Sequence, residues 1–302
     1  MNAYDALTER IIAQLEAGII PWRKSWSSPA ATGAPRNRMT GKPYRGANLL
    51  ALLFTPFESR EWLTYKQAQA LGAQVRKGER GTSIIFWSTF TKKDGAGADG
   101  GDGGDGGDGG AGDGKRVGFM KTYTVFNLEQ IDGLPGELPF ELLPFDPIEA
   151  AQALADGFLV NGGPSLAHGG SRAFYRRSDD LVQMPLQGAF VSAQAYYATL
   201  FHEFAHSTGH QSRMDRETVG KVGKSRDEYA EEELLAEFSA AFLCVQCGIS
   251  NADLEQDAAA YIQSWLKVFK SDSRIAVYAA QRAQKVVDFM LERVAISQAV
   301  AA

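Results

Sequence analysis

The chain has 302 residues, 44% hydrophobic and 22% charged, the composition of a folded globular protein rather than a disordered one. No apolar run is long enough to span a bilayer, the acid-bearing amphipathic start lacks the form of a secretory signal, and two cysteines exclude a disulfide framework, so a cytoplasmic setting without membrane partners is expected. The net charge of −5 hides a division: residues 1–93 carry 14 Lys+Arg against 6 Asp+Glu, whereas residues 117–302 carry 15 against 24. A basic unit joined to an acidic one points to two partners, and the basic unit is the candidate for nucleic acid.

In chain order, Tyr4, Leu7, Ile11, Ile12 and Leu15 recur at helical spacing, and Gly18 is placed to end that helix. A Pro-, Gly- and polar-rich stretch from Pro21 to Tyr44 reads as irregular. Short helices are expected over Leu49–Phe54 and Thr64–Gly72, the second with Thr64 as its N-cap. Ser83–Trp87 and Lys121–Phe126 read as antiparallel strands of a small sheet. Between them lies Asp94–Gly114, built of Gly, Asp and Ala with Asp99, Asp102, Asp105 and Asp108 at every third residue. That spacing is neither collagen nor a known Ca²⁺ repeat, and the segment reads as a flexible acidic loop (94–114).

A proline-rich connector over 135–147 separates unit 1–134 from unit 148–302. Beyond it a helix is expected near Ile148–Leu159, then strands at Phe174–Tyr175 and Asp180–Pro185, the latter a candidate edge against which an extended substrate could lie. Three helical segments follow, over 192–208, 228–247 and 256–294, with a break in the last near Lys270–Ser273. The expected class is α+β: a small α/β unit followed by a mostly helical one.

The chemistry centres on His202-Glu203-Phe204-Ala205-His206. Residues four apart on a helix share a face, so His202 and His206 can offer two imidazoles to one metal ion, while Glu203 lies beside them as a general base. Three of the four histidines fall between 202 and 210. A catalytic zinc site takes three protein ligands. His210 would be carried past the metal, and Ser212 stands where a metzincin needs its third histidine. The later helix offers Glu233 and Glu237, one turn apart: Glu233 as ligand and Glu237 orienting an imidazole, or the reverse. A solvated helix face accounts for some of Glu231 and Glu232. Zn²⁺ is the expected ion, with Mn²⁺ or Co²⁺ able to occupy the same donors. Cys244 and Cys247 form a CxxC without a second copy and read as buried thiols. His168 and Tyr229 are weaker candidates to approach the site.

The segments YYATLFHEFAHSTGH, YAEEELLAEFSAAFLC and AAYIQSWLKVFK resemble the zincin-like metallopeptidase domain of ArdC-type antirestriction proteins. IIPWRKSW, TGKPYRGANLLAL, KGERGTSIIFW and YTVFNLEQI resemble the single-stranded-DNA-binding domain of the same family, in the family's order. The resemblance implies protection of incoming plasmid DNA from host restriction, with a protein of the host restriction machinery as the substrate of a peptidase-like site. It makes the N-terminal unit a binder of single-stranded DNA, with duplex DNA as a further ligand.

Such binding needs cations for phosphates and flat side chains for bases. Trp22, Arg23, Lys24 and Trp26 interleave both; Arg36, Asn37, Lys42, Tyr44, Arg45 and Asn48 continue the theme, and Lys66, Arg76 and Lys77 follow. Trp22 and Trp26 can equally be core anchors. Two other functions fit the same residues: a DNA-binding protein with a structural metal, or a metal-dependent nuclease, since two His and a Glu do not dictate an amide substrate.

Overall fold

The computed structural model describes residues 3–20, 34–57, 59–91, 116–134, 147–216, 226–249 and 258–301. Helix α1 (Ala3–Glu16) buries Leu7, Ile11 and Leu15 on one stripe. It ends where Gly18 takes φ of 76° and Ile19 N–H donates to the Gln14 carbonyl, a reversal that suits glycine. Strand β1 (Arg36–Asn37) precedes helix α2 (Gly46–Leu53), whose side chains are buried nearly all round. Strand β2 (Glu61–Thr64) runs into helix α3 (Tyr65–Ala70), where Thr64 and Gln67 form a reciprocal capping box. A two-residue strand β3 (Gln74–Val75) leads to the long antiparallel pair β4 (Thr82–Thr91) and β5 (Arg116–Asn127).

These form a four-stranded sheet ordered β1-β2-β5-β4, while β3 pairs with a short β6 (Ile131–Asp132). The expected hairpin is therefore present. The sequence pattern did not indicate β2, because Glu61-Trp62-Leu63 is buried on both sides and shows no alternation.

The second half begins with α4 (Pro147–Val160). A three-stranded sheet follows: β7 (Ser165–His168), β8 (Phe174–Arg176) and β9 (Leu181–Met184), ordered β7-β9-β8. β9 is parallel to β7 and antiparallel to β8. The Asp180–Pro185 segment is thus the central strand and not the edge expected from sequence: β7, too polar to stand out beside its glycines, pairs along its far side. Helices α5 (Ala193–Ser207), α6 (Arg226–Cys247), α7 (Ala258–Ser271) and α8 (Ile275–Ala301) complete the chain, and the anticipated break falls at Asp272–Arg274. No helix among the described residues is long and apolar enough to cross a membrane.

The fold is α+β, and its main core does not stop at the connector. Leu7, Ile11, Leu49, Leu50 and Ile85 join one apolar cluster with Phe158, Phe204, Phe238, Trp265 and Val287. Polar ties reinforce the junction. The Thr8 hydroxyl donates to the Ser273 carbonyl (2.6 Å), Gly46 N–H donates to Gln284 Oε1 (3.0 Å), and Arg45 pairs with Asp288. The acidic 94–114 loop and all of the 135–147 connector except Pro147 lie outside the described residues.

Candidate metal centre

Helix α5 starts at Ser192, whose hydroxyl accepts from Ala195 N–H at 3.1 Å, and ends at Thr208, whose amide still bonds the Phe204 carbonyl. Leu200, Phe201, Phe204 and Ala205 bury it on the core side, with Phe204 edge-on to Phe158 at 5.2 Å between ring centroids. This fixes the opposite stripe, which carries His202 and His206 one turn apart. Their Nε2 atoms lie 3.2 Å from each other.

Helix α6 packs along α5 and brings Glu233 to the same point. Its Oε2 is 3.5 Å from His202 Nε2 and its Oε1 is 3.6 Å from His206 Nε2. One donor atom from each of the three residues falls within 4.8 Å of the others. Donors held at ~2.0–2.1 Å around a tetrahedral ion stand roughly 3.3 Å apart, so this spacing fits a single divalent ion.

Behind each imidazole stands a further carboxylate of α6. Glu237 Oε1 is 3.8 Å from His202 Nδ1, and Glu232 Oε1 is 3.5 Å from His206 Nδ1. Of the two acids the sequence left to a solvated face, Glu232 is buried, and Arg216 Nη2 donates to it at 2.8 Å. Arg216 also donates to the Thr208 hydroxyl and the Ala205 carbonyl, which ties the end of α5 to α6. Burial pushes the Glu232 carboxyl up, but the bond from His206 and the Arg216 charge outweigh it and bring the pKa down to about 2. Glu231, one residue earlier, does face solvent and lies 3.7 Å from Arg282.

Four buried carboxylates therefore surround two imidazoles: Glu203, Glu232, Glu233 and Glu237. His202 registers their field. Burial works against its charged form, yet the bond to Glu233 and the charges of Glu203, Glu233 and Glu237 raise its pKa to about 9. A field that draws a proton so strongly to an imidazole draws any cation to the same place.

Glu203 leaves this cluster on the side of a cleft of about 520 Å³, lined by residues 170–173, Pro185, Phe190, Val191, Ala195 and Thr199. The cleft lies over α5, with Glu203 among the residues that line it.

The remaining sequence candidates sit elsewhere. His210 is turned to Ser212, with Nδ1 2.7 Å from the hydroxyl, and is 4.0 Å from Asp180. His168 bonds the Tyr196 hydroxyl at 2.8 Å. The Tyr229 side chain lies outside the described residues. Cys244 and Cys247 are buried free thiols, and burial pushes Cys247 up to about 12.

Residues 1–126 match the model of the N-terminal domain of the anti-restriction factor ArdC, and residues 153–282 match that of a zincin-like metallopeptidase. The fold superposes on the metal-free crystal structure of the antirestriction ArdC protein from plasmid R388 with a TM-score of 0.73 and 35% identity, covering 98% of both chains. The chain belongs to the ArdC antirestriction family. The Mn(II)-bound structure of the same R388 protein matches at a TM-score of 0.72 and 36% identity, over 98% of this chain and 99% of that one. The protein y4eC of Sinorhizobium fredii is 40% identical over 296 residues, 96% of this chain and 91% of its own. Two DNA primases TraC of Escherichia coli are 37% and 40% identical over 95% of this chain, which spans only 20% and 27% of their lengths.

Within the ArdC N-terminal domain the residues selected for DNA contact divide into groups. Trp22, Arg23, Lys24 and Trp26 lie outside the described residues. Lys42, Lys66 and Lys77 stand exposed. Arg45 and Arg76 are exposed but engaged, Arg45 with Asp288 and Arg76 with Glu79 at 2.9 Å. The rest have structural work. Arg36 and Arg38 clamp the buried Glu61. The Asn37 amide donates to Gln67 and Tyr44 while its oxygen accepts two turn amides. Asn48 pairs through both ends with the Ile85 backbone, its oxygen accepting and its amide donating at 2.7 Å each, which pins α2 to β4. A sequence pattern of cations and amides cannot separate these clamps from a binding surface. Buried acceptors such as Glu61 have to be known first.

Proposed function

We propose that this ArdC-family chain binds single-stranded DNA through its basic N-terminal unit and hydrolyses a peptide-like substrate at a divalent-metal site held by His202, His206 and Glu233. The observation that carries the second half is the cleft. A metal with a purely structural task is closed off by its ligands, whereas here Glu203 is no part of the three-donor group and borders a space large enough for substrate.

The ion expected from two imidazoles and a carboxylate is Zn²⁺, with Mn²⁺ or Co²⁺ able to substitute, and a bound ion would supply Lewis-acid polarisation of a carbonyl and acidify water. Glu203 then takes the proton from water at a carboxylate oxygen and delivers it to the leaving amine. Glu232 and Glu237 stand 3.5 and 3.8 Å from the Nδ1 sides of the imidazoles, where their charges would keep the ring protons and leave both Nε2 lone pairs for the ion. The cleft walls orient the substrate over Glu203.

The R388 relative is described with Mn(II), so metal content is best measured after loading with Mn²⁺ and with Zn²⁺ separately. The deciding variant is Glu203→Gln in a transformation assay against a restricting host. Metal content and DNA affinity should stay near wild type while protection falls. If protection survives intact, the site is not hydrolytic in this role.

A further inference from the structure

Phe86 and Tyr123 are large aromatic side chains left 51% and 42% exposed, and they lie ring to ring with centroids 6.0 Å apart at an interplanar angle of 84°. Their placement follows from the register. Phe86 stands opposite Lys121 and Ile84 opposite Tyr123 on β4 and β5. Residues paired across strands, and residues two apart along one strand, project to the same side, so Ile84, Phe86, Lys121 and Tyr123 share a face. Toward β2 that face is covered, with Ile84 packed on the Leu52–Trp62–Val125 cluster. Beyond Ile84 no further described residue of this face joins that cluster, and the two rings stand about half exposed.

We propose that Phe86 and Tyr123 form a base-stacking platform for single-stranded nucleic acid, with Lys121 placed for its phosphates. This rests on the reading of the N-terminal unit as a DNA-binding unit and names the residues that would stack. Two observations fix the occupant. The surrounding unit, residues 1–134, carries 17 basic against 14 acidic residues, whereas residues 135–302 carry 14 against 22, so a polyanion is better suited to this half of the chain. The apolar area is also small: two half-exposed rings fall far short of the ~1,200 Å² that a stable protein–protein contact buries. Duplex DNA keeps its base faces stacked on one another, so exposed rings select unpaired bases. None of these four residues stands out in sequence, because aromatics alternating in a strand read as ordinary sheet packing.

The test uses the full-length protein and a fluorescein-labelled oligodeoxythymidine, with binding measured across a series of salt concentrations. The Phe86→Ala/Tyr123→Ala double variant should bind about tenfold or more weakly, the loss expected for stacking on one or two bases. Its salt slope should match wild type, because no charge has been removed. Phe86→Trp should keep binding. Photocross-linking with a 5-iodouracil oligomer should map to Phe86 or Tyr123. A double variant that melts like wild type and binds like wild type overturns the platform while leaving DNA binding by the unit intact. Cross-links confined to other residues overturn it as well, as does a double variant whose only change is its mass in solution, which would make the face a protein contact. Wild-type protein that fails to bind the oligomer at low salt removes the underlying reading and the platform together.

Discussion

Glu231 and Glu232 are neighbours on one helix, and the structure assigns them opposite fates. Glu232→Gln keeps the shape and one acceptor oxygen but removes the charge between His206 Nδ1 and Arg216. A hydrogen-bond partner behind a ligating imidazole is worth about 10–100-fold in metal affinity, or roughly 1.4–2.8 kcal/mol. The Arg216–Glu232 pair is also nearly sealed from solvent, with side chains 10% and 5% exposed. Breaking such a pair by losing one partner costs about 3–5 kcal/mol in a fully buried setting. Gln still accepts from Arg216, so the loss of fold stability should fall below that range. Glu231→Gln is the internal control: its side chain is 46% exposed and its 3.7 Å approach to Arg282 is worth at most ~1 kcal/mol. Metal affinity is measured by competition with a chromophoric chelator, and stability by thermal unfolding with and without Mn²⁺ or Zn²⁺. Equal metal affinity in wild type and Glu232→Gln, or an equal loss in both variants, would refute the role given to Glu232.

The clasp at Asp180 yields a pH prediction. Arg213 donates to both Asp180 oxygens and Tyr175 to one of them, tying the turn after α5 to the sheet. Burial pushes this carboxyl up, but the bonds and charge of Arg213 win and hold it below the usual carboxylate range. Asp180 has φ of 49°, which Asn tolerates well, so Asp180→Asn should cost about 1–2 kcal/mol without added strain. Because the folded pKa is depressed, the advantage of wild type should be full above pH ~4 and vanish as pH falls through the folded value; a gap between the two melting curves that persists in strong acid would contradict this. A fragment ending at residue 134 strips α7 and α8 from Leu7, Ile11, Leu49 and Leu50, so it should aggregate or melt far below the full chain. A monodisperse fragment with a cooperative transition near that of the full chain would show that the shared core is dispensable.

The helix carrying His202 and His206 was legible because ligand type, spacing and apolar backing agree within a few residues, and the α5 and α6 boundaries came out within two residues of the pattern. The acids of α6 were only half legible. Periodicity puts Glu233 and Glu237 on one face, but a buried Glu232 is intelligible only once Arg216, sixteen residues earlier and in a loop, is seen to meet it. The same limit applies to β9. Its hydrophobic alternation marks a strand, yet whether that strand is central depends on β7, whose Ser165-Leu166-Ala167-His168 carries no strand signal of its own. Local pattern records which face of an element is apolar. It does not record which distant polar group will be sealed in beside it.

The connector at 135–147 marks a change in charge and composition, and it is tempting to read the two family domains as independent bodies. The packing argues otherwise. Helix α8 lies against α2 on the N-terminal side and against α4 and α6 on the other, and small residues along it, Ala276, Ala280 and Ala283, are fully buried. Small side chains let helices approach closely, so a gap opened on either side of α8 forfeits dispersion contacts on both. Arg45–Asp288 and Gly46–Gln284 fix the register of that contact. The helix that carries the acids of the metal cluster and the helix that anchors β4 therefore share one support. Contiguous packing of this kind implies a common stability rather than a route for signals between sites. Its expected signature is one cooperative unfolding transition, with metal raising the midpoint reported by the N-terminal sheet as much as that reported by α6. Two separate transitions, with only the later one responding to metal, would return the chain to two bodies joined by a tether.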